Sequence, residues 1–507
     1  MDKNHVRICV PVCEGSITDL RRASLRAAQI SDIVEFRIDC LVEGVTIRDL
    51  EELAAELNRP VIMTFRSRKQ GGLGATNLPS FMNLLFEKQQ EIDIELEAVE
   101  QLNCQSTAPP TSAEWQRIIC SHHDFTGVPE DLDQIYARMI ATPAGILKIA
   151  VMANDIVDCL PVFQLLKRAR DAGRQMIAIA MGPAGVATRI LGPAYGSYLS
   201  YGALDTNSAT APGQVTAQEL RELYRIDLIN PQTQVMGIVG FPVGHSISPQ
   251  IHNSAFTQAG INAVYIPLEV REVSSFMKRM VHPRSRKMDW NLRGLSVTAP
   301  HKSAVLDCLD WVDDSAKEIG AVNTIVIDGD TLRGYNTDAP AVLKPVSEKL
   351  GSLRDSRCAV IGAGGAANAV LWSLRNEGAR ATVFARDLEK GRALAEKFDA
   401  HPDRLEGASF KDFDFIINAT PLGTLGVSAG ETPATAVQLR GARLAYDLVY
   451  NPSETLFLKE ARDAGCETIG GLEMLVLQAA EQFKLWTGEE APVSVMRETA
   501  ERAVMGF

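Results

Sequence analysis

A lysine lies inside an apolar run in the first half of the chain, where an amine would lose its hydration. The run covers residues 146–151, and Lys148 is its only polar member. A buried charged amine is costly unless it is paired, and desolvation alone lowers its pKa. Because a neutral amine is a nucleophile towards ketones, Lys148 is a candidate for imine chemistry. The alternative is a lysine that extends to the rim of the fold and stays hydrated.

Polar side chains that could assist an imine lie at the ends of other apolar runs in the same half. His122 and His123 are adjacent, so one of them points away from a shared site, and we expect that one to be His122. His123 is then the candidate general acid/base, since imidazole titrates near neutral pH and the proton transfer needs no metal. The other candidates around this site are Glu35, Arg37, Arg66, Glu95, Arg189, Thr210 and Gln214.

Eight short apolar runs, separated by helix-length segments, recur through the first 215 residues. The runs are Val6–Val12, Ile33–Ile38, Pro60–Phe65, Ile92–Leu96, Arg117–Ser121, Ile146–Val151, Met176–Met181 and Tyr198–Tyr201. Eight alternating strand and helix units predict a (β/α)8 barrel over residues 1–226, with its functional side chains at the carboxyl ends of the strands. An open doubly wound sheet is the alternative, which the count of eight disfavours.

The second half contains a glycine-rich turn between a predicted strand and a predicted helix. Residues 358–367 read CAVIGAGGAA, which is a Gly-x-Gly-x-x-Ala pattern in the context that dinucleotide binding requires. The glycines allow close approach of a pyrophosphate, and the helix N-terminus favours its charge. A purely structural turn is the alternative. The candidate cofactor contacts are Gly362, Ala363, Gly364, Gly365, Ala366, Ala385, Arg386, Asp387 and Thr420.

The residues after the next predicted strand, 381–385, bear on which dinucleotide binds. An arginine there can pair with the 2′-phosphate of NADP, whereas an aspartate binds the 2′-hydroxyl of NAD. Arg386 and Asp387 are both present, so this position alone leaves the choice open. Further strands predicted at 413–420 and 443–449 continue the doubly wound pattern.

A separate polar set precedes the glycine-rich turn, within residues 235–338. Ser246 and Ser248 lie in a hydroxyl-rich turn able to bind a carboxylate, and Lys302 follows a predicted strand. Each of these residues alone could cap a turn, but beside a nucleotide-binding fold they predict a polar substrate pocket. A lysine near Asp338 can move the proton of an alcohol while a nicotinamide exchanges hydride. The other candidates for this pocket are Ser296, Thr298, Asn323, Tyr450 and Gln478.

The polar stretch 227–234 contains a proline and is the predicted boundary between the two halves. We predict an α/β protein of three units, which are the barrel over 1–226, a substrate-binding lobe over 235–338 and a Rossmann-type lobe over 339–472. The C-terminal helices within 473–507 are predicted to return to the substrate-binding lobe.

Composition and charge disfavour several classes of protein. Hydrophobic residues make up 46% and charged residues 22%, which is ordinary globular usage and excludes a disordered chain. The net charge of −12 and the lack of a basic block argue against a nucleic-acid partner. No apolar run reaches the roughly 18 residues of a membrane-spanning helix. No targeting segment is visible, so we expect a cytoplasmic protein whose nine scattered cysteines are reduced thiols.

Six strings of the first half resemble type I 3-dehydroquinate dehydratase and occur in that family's order. They are EFR at 35–37, TFR at 64–66, DIEL at 93–96, SHHDF at 121–125, KIAVM at 148–152 and APGQ at 211–214. The resemblance implies that Lys148 forms an imine with the substrate ketone, that His123 is the general acid/base, and that Glu95 orients His123. The residues that it assigns to the substrate are Arg189 and Gln214 at the carboxylate end, and Glu35, Arg37 and Arg66 at the hydroxyl face. Thr210 stands where the family commonly has Ser, which retains the hydroxyl.

Five strings of the second half resemble shikimate dehydrogenase and occur in that family's order. They are GHSIS at 244–248, SVTAPHK at 296–302, AVNT at 321–324, GYNTD at 334–338 and GLEMLVLQ at 471–478. The resemblance implies that Lys302 and Asp338 are the catalytic pair and that Ser246 and Ser248 bind the substrate carboxylate. It assigns the substrate hydroxyls to Thr298, Asn323 and Gln478. Ser296 stands where many members have Asn, and the stretch that is usually Asn-Arg-Thr is Ala385-Arg386-Asp387 here. The implied cofactor is NADP, with NAD as a weaker possibility.

The two halves together resemble the bifunctional dehydroquinate dehydratase/shikimate dehydrogenases. The implied small-molecule substrates are 3-dehydroquinate, 3-dehydroshikimate and shikimate. Two alternatives stay open, which are use of quinate by the second half and a metabolite-sensing regulator built from degenerate enzyme domains. Such a regulator would be expected to lose Lys148, His123, Lys302 or Asp338, and all four are present. The sequence leaves open the oligomeric state and any transfer of intermediate between the sites.

Overall fold

The first half forms a barrel of eight parallel strands. The computed structural model describes residues 6–42, 45–73, 90–105, 110–206, 208–426 and 428–506. The barrel strands are β1 (Ile8–Val12), β2 (Ile33–Arg37), β3 (Val61–Thr64), β4 (Glu91–Glu95), β5 (Ile118–Asp124), β6 (Ile146–Met152), β7 (Gln175–Met181) and β8 (Ser200–Tyr201). Their order is β7-β6-β5-β4-β3-β2-β1-β8, and the residues before β8 reach β7 through a bridge between Met176 and Ser197. The predicted barrel is confirmed.

Helices cover the outside of the barrel, and polar side chains cap several of their N-termini. Ser16 accepts the backbone N–H of Asp19 at the start of the first helix, and Thr46 and Asp49 cap each other's backbone at the start of the second. The helices of this half are α1 (Ile17–Ile30), α2 (Ile47–Glu56), α3 (Leu96–Gln105), α4 (Ser112–Trp115), α5 (Leu132–Ile140), α6 (Cys159–Asp171) and α7 (Val186–Leu191).

The second lobe is built on a mixed sheet of six strands in the order β10-β9-β11-β13-β14-β12. The strands are β9 (Gln234–Gly240), β10 (Ala263–Glu269), β11 (Leu292–Val297), β12 (Trp311–Val312), β13 (Thr324–Asp328) and β14 (Thr331–Tyr335). Its helices are α8 (Ser248–Ala259), α9 (Val273–Phe276), α10 (Asp314–Ile319), α11 (Asp338–Val342) and α12 (Lys344–Leu350).

The third lobe is a parallel six-stranded sheet in the order β17-β16-β15-β18-β19-β20, which is the doubly wound dinucleotide-binding order. The strands are β15 (Arg357–Ile361), β16 (Arg380–Ala385), β17 (His401–Arg404), β18 (Phe415–Asn418), β19 (Leu444–Asp447) and β20 (Glu467–Ile469). The helices from here to the C-terminus are α13 (Gly365–Glu377), α14 (Leu388–Phe398), α15 (Ala436–Leu439), α16 (Leu456–Asp463), α17 (Leu472–Thr487) and α18 (Val493–Met505). Helices α17 and α18 pack on α8 of the second lobe, where Phe256 and Phe483 stack.

The barrel and the second lobe share one continuous hydrophobic core. It runs from Leu191 and Ile226 of the first half to Val264 and Leu268 of the second. Polar contacts reinforce the junction, because the carboxylate of Asp155, in the loop after β6, accepts the backbone N–H of Arg271 at 2.6 Å. Within the ranges that the structure describes, no helix is both long and apolar enough to cross a membrane.

Cys13 and Cys40 form a disulfide, with their Cα atoms 5.4 Å apart. For this pair the prediction of reduced thiols is wrong. The two residues are 27 positions apart in sequence, but β1 and β2 are neighbouring parallel strands, so the segments that follow them meet at one end of the barrel. The other seven cysteines are free.

Candidate active sites

The amine of Lys148 lies buried in the centre of the barrel and is paired. Its Nζ is 2.8 Å from Oδ2 of Asp93, 2.9 Å from the hydroxyl oxygen of Tyr201 and 3.4 Å from Oε1 of Glu35. All three N–H groups of the ammonium therefore have an acceptor, and an adjacent carboxylate offsets the cost of burying its charge. The rim-exposed alternative does not apply, because the side chain is only 6% exposed.

Asp93 connects this amine to a second cation. Its Oδ1 accepts from Nη2 of Arg66 at 2.8 Å and from the hydroxyl of Ser121 at 2.5 Å. Burial alone would raise the pKa of the Asp93 carboxyl, but Arg66 and Lys148 outweigh it and hold that pKa well below its usual value. Asp93 therefore stays ionised beside Lys148 at neutral pH.

His123 lies within β5 and faces the same interior as Lys148. Ser121 is in register with Lys148 on the neighbouring strand, and His123, two residues on, points to the same side. The backbone N–H of His123 donates to Oε1 of Gln70 at 2.9 Å, and its Nδ1 is 3.3 Å from the same oxygen. Burial, with Arg66 and Lys148 nearby, holds the pKa of His123 well below 6.5, so the ring is neutral and can accept a proton.

The predicted contact between Glu95 and His123 is wrong in this structure. The carboxylate of Glu95 instead accepts the backbone N–H of Ser67 at 2.8 Å. Ser67 begins the turn that follows β3, and Gln70 from the same turn occupies the place beside His123. Among the described residues, the side chain that hydrogen-bonds His123 is therefore Gln70 rather than Glu95.

Arg189 is buried at the pocket wall without a carboxylate partner among the residues that the structure describes. Its Nη1 donates to the backbone oxygen of Tyr201 at 3.3 Å, and its Nε has no hydrogen-bond partner in the described part of the chain. Burial lowers the pKa of the Arg189 guanidinium to about 10, so it is still cationic at neutral pH. Because a buried, unpaired cation is costly, this geometry favours an anionic ligand here.

The other predicted barrel residues line the same pocket, except Glu95. Arg37 is held by Asp39 through two hydrogen bonds of 2.9 and 2.8 Å, so its orientation is fixed. The amide oxygen of Gln214 accepts the backbone N–H of Thr210 at 2.8 Å. The pocket-lining residues from the predicted set are Glu35, Arg37, Arg66, His123, Lys148, Arg189, Thr210 and Gln214.

A second cavity, of about 840 Å³, lies between the second and third lobes. On its wall, Nζ of Lys302 is 2.6 Å from Oδ2 of Asp338. Lys302 follows β11 and Asp338 is the first residue of α11, so two separate elements bring the pair together. A hydrogen-bonded lysine and carboxylate of this kind can hold and move the proton of a substrate hydroxyl.

The residues predicted to bind the second substrate also line this cavity. The hydroxyls of Ser246 and Ser248 are 3.1 Å apart. The hydroxyl of Ser296 already donates to Oε1 of Gln482 at 2.8 Å and accepts from Tyr265 at 2.7 Å, which leaves it one acceptor lone pair. The cavity-lining residues from the predicted set are Ser246, Ser248, Ser296, Thr298, Lys302, Asn323, Asp338, Tyr450 and Gln478.

The glycine-rich turn opens onto the same cavity. Gly362 has φ +115°, and a Cβ there would lie 2.9 Å from Cγ2 of Thr420, so the turn requires glycine. Added Cβ atoms at Gly364 and Gly365 would meet nothing within 4 Å. Helix α13 begins at Gly365 without a side-chain cap, so its first N–H groups are free to bind an anion. These features fit a dinucleotide pyrophosphate.

The end of β16 carries the residues predicted to distinguish NADP from NAD. Arg386 follows Ala385, is exposed, and makes no ion pair with any described residue. Asp387 is the N-cap of α14 and accepts the backbone N–H of Lys390 at 3.2 Å. The carboxylate of Asp387 is therefore engaged by its own helix, whereas the guanidinium of Arg386 is available.

Four family models match successive parts of the chain. They are type I 3-dehydroquinase over 8–231, the shikimate dehydrogenase substrate binding domain over 238–325, shikimate/quinate 5-dehydrogenase over 344–448 and the shikimate 5′-dehydrogenase C-terminal domain over 471–501. A bifunctional 3-dehydroquinate dehydratase/shikimate dehydrogenase of Arabidopsis thaliana is 34% identical over 97% of this chain and 83% of its own. The chain belongs to this bifunctional family.

Two further relatives support this family assignment. The shikimate biosynthesis protein AroDE of Chlamydia pneumoniae is 32% identical over 94% of this chain and 95% of its own. A crystal structure of a shikimate dehydrogenase in complex with NADP+ is 36% identical, with a TM-score of 0.51 over 54% of this chain and 97% of its own. The first half of the chain is thus a type I 3-dehydroquinase domain and the second a shikimate dehydrogenase.

Three residues of the barrel site were not identified from the sequence. Asp93 is two positions before Glu95 on β4, so the alternation of a strand could have placed both carboxylates on the inner face. Tyr201 ends an apolar run, and nothing in that run predicts a polar role for it, although its hydroxyl oxygen is 2.9 Å from Nζ of Lys148. Gln70 lies in a turn after β3, and no local pattern connects it to His123.

Proposed function

We propose that the barrel dehydrates 3-dehydroquinate to 3-dehydroshikimate through an imine on Lys148. The buried guanidinium of Arg189 binds the substrate carboxylate, which directs the ketone towards the amine. The ammonium of Lys148 first gives a proton to the neutral ring of His123, and Nζ then attacks the ketone carbon. His123 returns that proton to the carbinol hydroxyl, which leaves as water, so that a protonated imine and a neutral His123 remain. The adjacent C–H becomes acidic because the imine accepts its electron pair.

His123 then removes the proton from the carbon beside the imine, and the electron pair forms an enamine. The same proton goes to the β-hydroxyl, which leaves as water while the ring gains a carbon–carbon double bond. Water finally hydrolyses the imine, which releases 3-dehydroshikimate and restores the amine of Lys148. These reaction steps are supported most directly by one pocket that holds the buried Lys148 amine, a neutral His123 and an Arg189 without a carboxylate partner among the described residues.

We propose that the second half reduces 3-dehydroshikimate to shikimate. Ser246 and Ser248 bind the substrate carboxylate, and Lys302 with Asp338 delivers a proton to the ketone oxygen as it becomes a hydroxyl. Asn323 has its side-chain oxygen engaged by the backbone N–H of Thr337 at 2.7 Å, so its position on the cavity wall is fixed. When bound, NADPH supplies the hydride for this reduction.

We propose that the cofactor lies across the N-terminus of α13, where its pyrophosphate accepts hydrogen bonds from the backbone N–H groups of Gly364–Ala366. Arg386 is available to pair with the 2′-phosphate, and Asp387 is held by α14, so the geometry favours NADP over NAD. Thr420 lies against Gly362 of this turn and lines the cavity.

The joint activity is tested by adding 3-dehydroquinate and NADPH to the purified chain. We expect 3-dehydroshikimate to form and then shikimate, with one NADPH consumed per shikimate. Quinate and shikimate are then compared in the oxidation direction with NADP+. A kcat/KM for quinate equal to or above that for shikimate would contradict the proposed substrate of the second site.

A further inference from the structure

Tyr201 provides an atom next to Lys148 that the proposed mechanism does not use. It is the last residue of β8 and is buried, and its hydroxyl oxygen accepts from Nζ at 2.9 Å. Its own O–H points to Oε1 of Glu35 at 3.4 Å. The ring also lies under the amine, with Nζ 4.3 Å from the ring centroid.

These contacts constrain the amine from a direction that the carboxylates do not cover. Asp93 is on β4 and Glu35 on β2, whereas Tyr201 is on β8, which lies four strands from β4 in the barrel. Burial, with Glu35 nearby, raises the pKa of the Tyr201 phenol well above 10, so the group keeps its proton. It therefore offers Lys148 a neutral acceptor that does not compete for the positive charge.

Because the lysine side chain is flexible, its amine needs hydrogen-bond acceptors to hold it in one position. The side chain has four rotatable bonds, and a nucleophile performs best when it is held within a few tenths of an ångström of its attacking position. Asp93 alone would draw the amine towards β4 and away from the substrate carbon. The hydroxyl of Tyr201, on the strand opposite β4, balances this pull and keeps Nζ at the centre of the barrel.

We propose that Tyr201 is a positioning residue for Lys148, whose hydroxyl and ring hold Nζ where it attacks the substrate ketone. This proposal rests on imine chemistry at Lys148. It separates two roles within the pocket, because Arg189 binds the substrate whereas Tyr201 acts only on the amine. Removing the hydroxyl should slow formation of the imine and leave substrate binding nearly unchanged.

The test is Tyr201→Phe in the full chain, which keeps the ring and removes one oxygen atom. We expect kcat for dehydration to fall about tenfold while KM changes less than about twofold. The imine is followed separately, by quenching a single turnover with borohydride at successive times and measuring the labelled fraction. Its rate of formation should fall by the same factor as kcat.

Tyr198→Phe is the matched control. Tyr198 lies three residues earlier and hydrogen-bonds Glu91 at the amino end of the barrel, so this variant also removes a barrel hydroxyl but not one near Lys148. It should retain the parent kcat. The rate of shikimate oxidation is measured in both variants, and an unchanged rate shows that the second half is still folded and active.

Three outcomes would overturn the proposal. The first is an unchanged rate of imine formation in Tyr201→Phe, and the second is a raised KM with an unchanged kcat, which would place Tyr201 in substrate binding. The third is an unfolded barrel in Tyr201→Phe but not in Tyr198→Phe, because the hydroxyl would then serve the fold rather than the amine. If neither the parent nor either variant gives a borohydride adduct, the imine mechanism itself is wrong.

Discussion

Oδ2 of Asp93 lies 2.8 Å from Nζ of Lys148, while Oδ1 of the same carboxylate lies 2.8 Å from Arg66. One ionised side chain thus fixes two cations of the barrel site. The pair is buried, and an unpaired buried charge is much more costly than a paired one. Lys148 and Arg66 were both predicted from the sequence, whereas Asp93, which lies between them, was not.

Asp93→Asn should therefore impair the dehydratase severely. We expect kcat to fall by about 10- to 100-fold, because Lys148 and Arg66 lose their shared partner and their positions. The barrel should also lose about 3–5 kcal/mol of its free energy of unfolding, as expected for a broken buried ion pair. Steady-state rates and denaturant unfolding measure the two effects. Glu91→Gln is the control on the same strand, and an equal loss there would mean that any carboxylate on β4 has this effect.

The two activities should be separable by single substitutions. Lys148→Ala should abolish dehydration and leave shikimate oxidation within about twofold of the parent, and Lys302→Ala should do the reverse. The reason is that each site is complete within its own half, although the halves share a core. Parallel assays of both reactions on each variant decide the matter. A folded variant that loses both reactions would show that the sites depend on each other.

The pH dependence of dehydration should reflect the environment of His123. Its pKa is held well below 6.5, and the base must be neutral, so kcat should fall only as the pH drops through that lowered pKa. A protonated imine on Lys148 keeps a positive charge beside the ring, which preserves the direction of the shift in the substrate complex. His123→Asn should remove activity, and His122→Asn should leave the profile unchanged. An acid limb of kcat centred above pH 6.5 would contradict this account.

Cofactor choice should depend on Arg386 more than on Asp387. A charge-assisted contact contributes about 1.5–3 kcal/mol, so Arg386→Ala should lower kcat/KM for NADP roughly 10- to 100-fold and hardly change that for NAD. Asp387→Thr keeps an N-cap for α14 and should raise NADP efficiency only slightly. Measurement of kcat/KM for both cofactors in both variants is the test. A large NADP gain in Asp387→Thr would assign the choice to Asp387 instead.

The disulfide between Cys13 and Cys40 should stabilise the barrel. It closes a loop with a sequence separation of 27 residues, and a loop of that length is worth about 3–4 kcal/mol in chain entropy. Cys13→Ser should lower the free energy of unfolding of the barrel by that amount in the absence of reductant. In saturating reductant the parent and the variant should unfold at the same denaturant concentration. A variant as stable as the oxidised parent would show that the bond contributes nothing.

The sequence predicted the architecture and the reactive residues for identifiable reasons. Eight strand-like runs predicted the barrel, and the glycine-rich turn predicted the dinucleotide lobe, because both signals are local. Contacts across the barrel were harder, since Asp93, Tyr201 and Lys148 come from strands 53–108 positions apart and meet only when the sheet closes. Glu95 was paired with His123 on the resemblance, whereas in the structure Glu95 accepts from Ser67 and His123 donates to Gln70. The turn at Ser67–Gln70, which supplies both of these partners, has no marked sequence pattern of its own.

The central claim is that the amine of Lys148 bonds covalently to the substrate during dehydration. Borohydride added to the chain with 3-dehydroquinate should reduce the imine to a stable secondary amine, and digestion with mass spectrometry should place the added mass on the peptide containing Lys148. Lys148→Ala, treated in the same way, should carry no label. An active parent that gives no adduct, or an adduct on another lysine, would contradict the account.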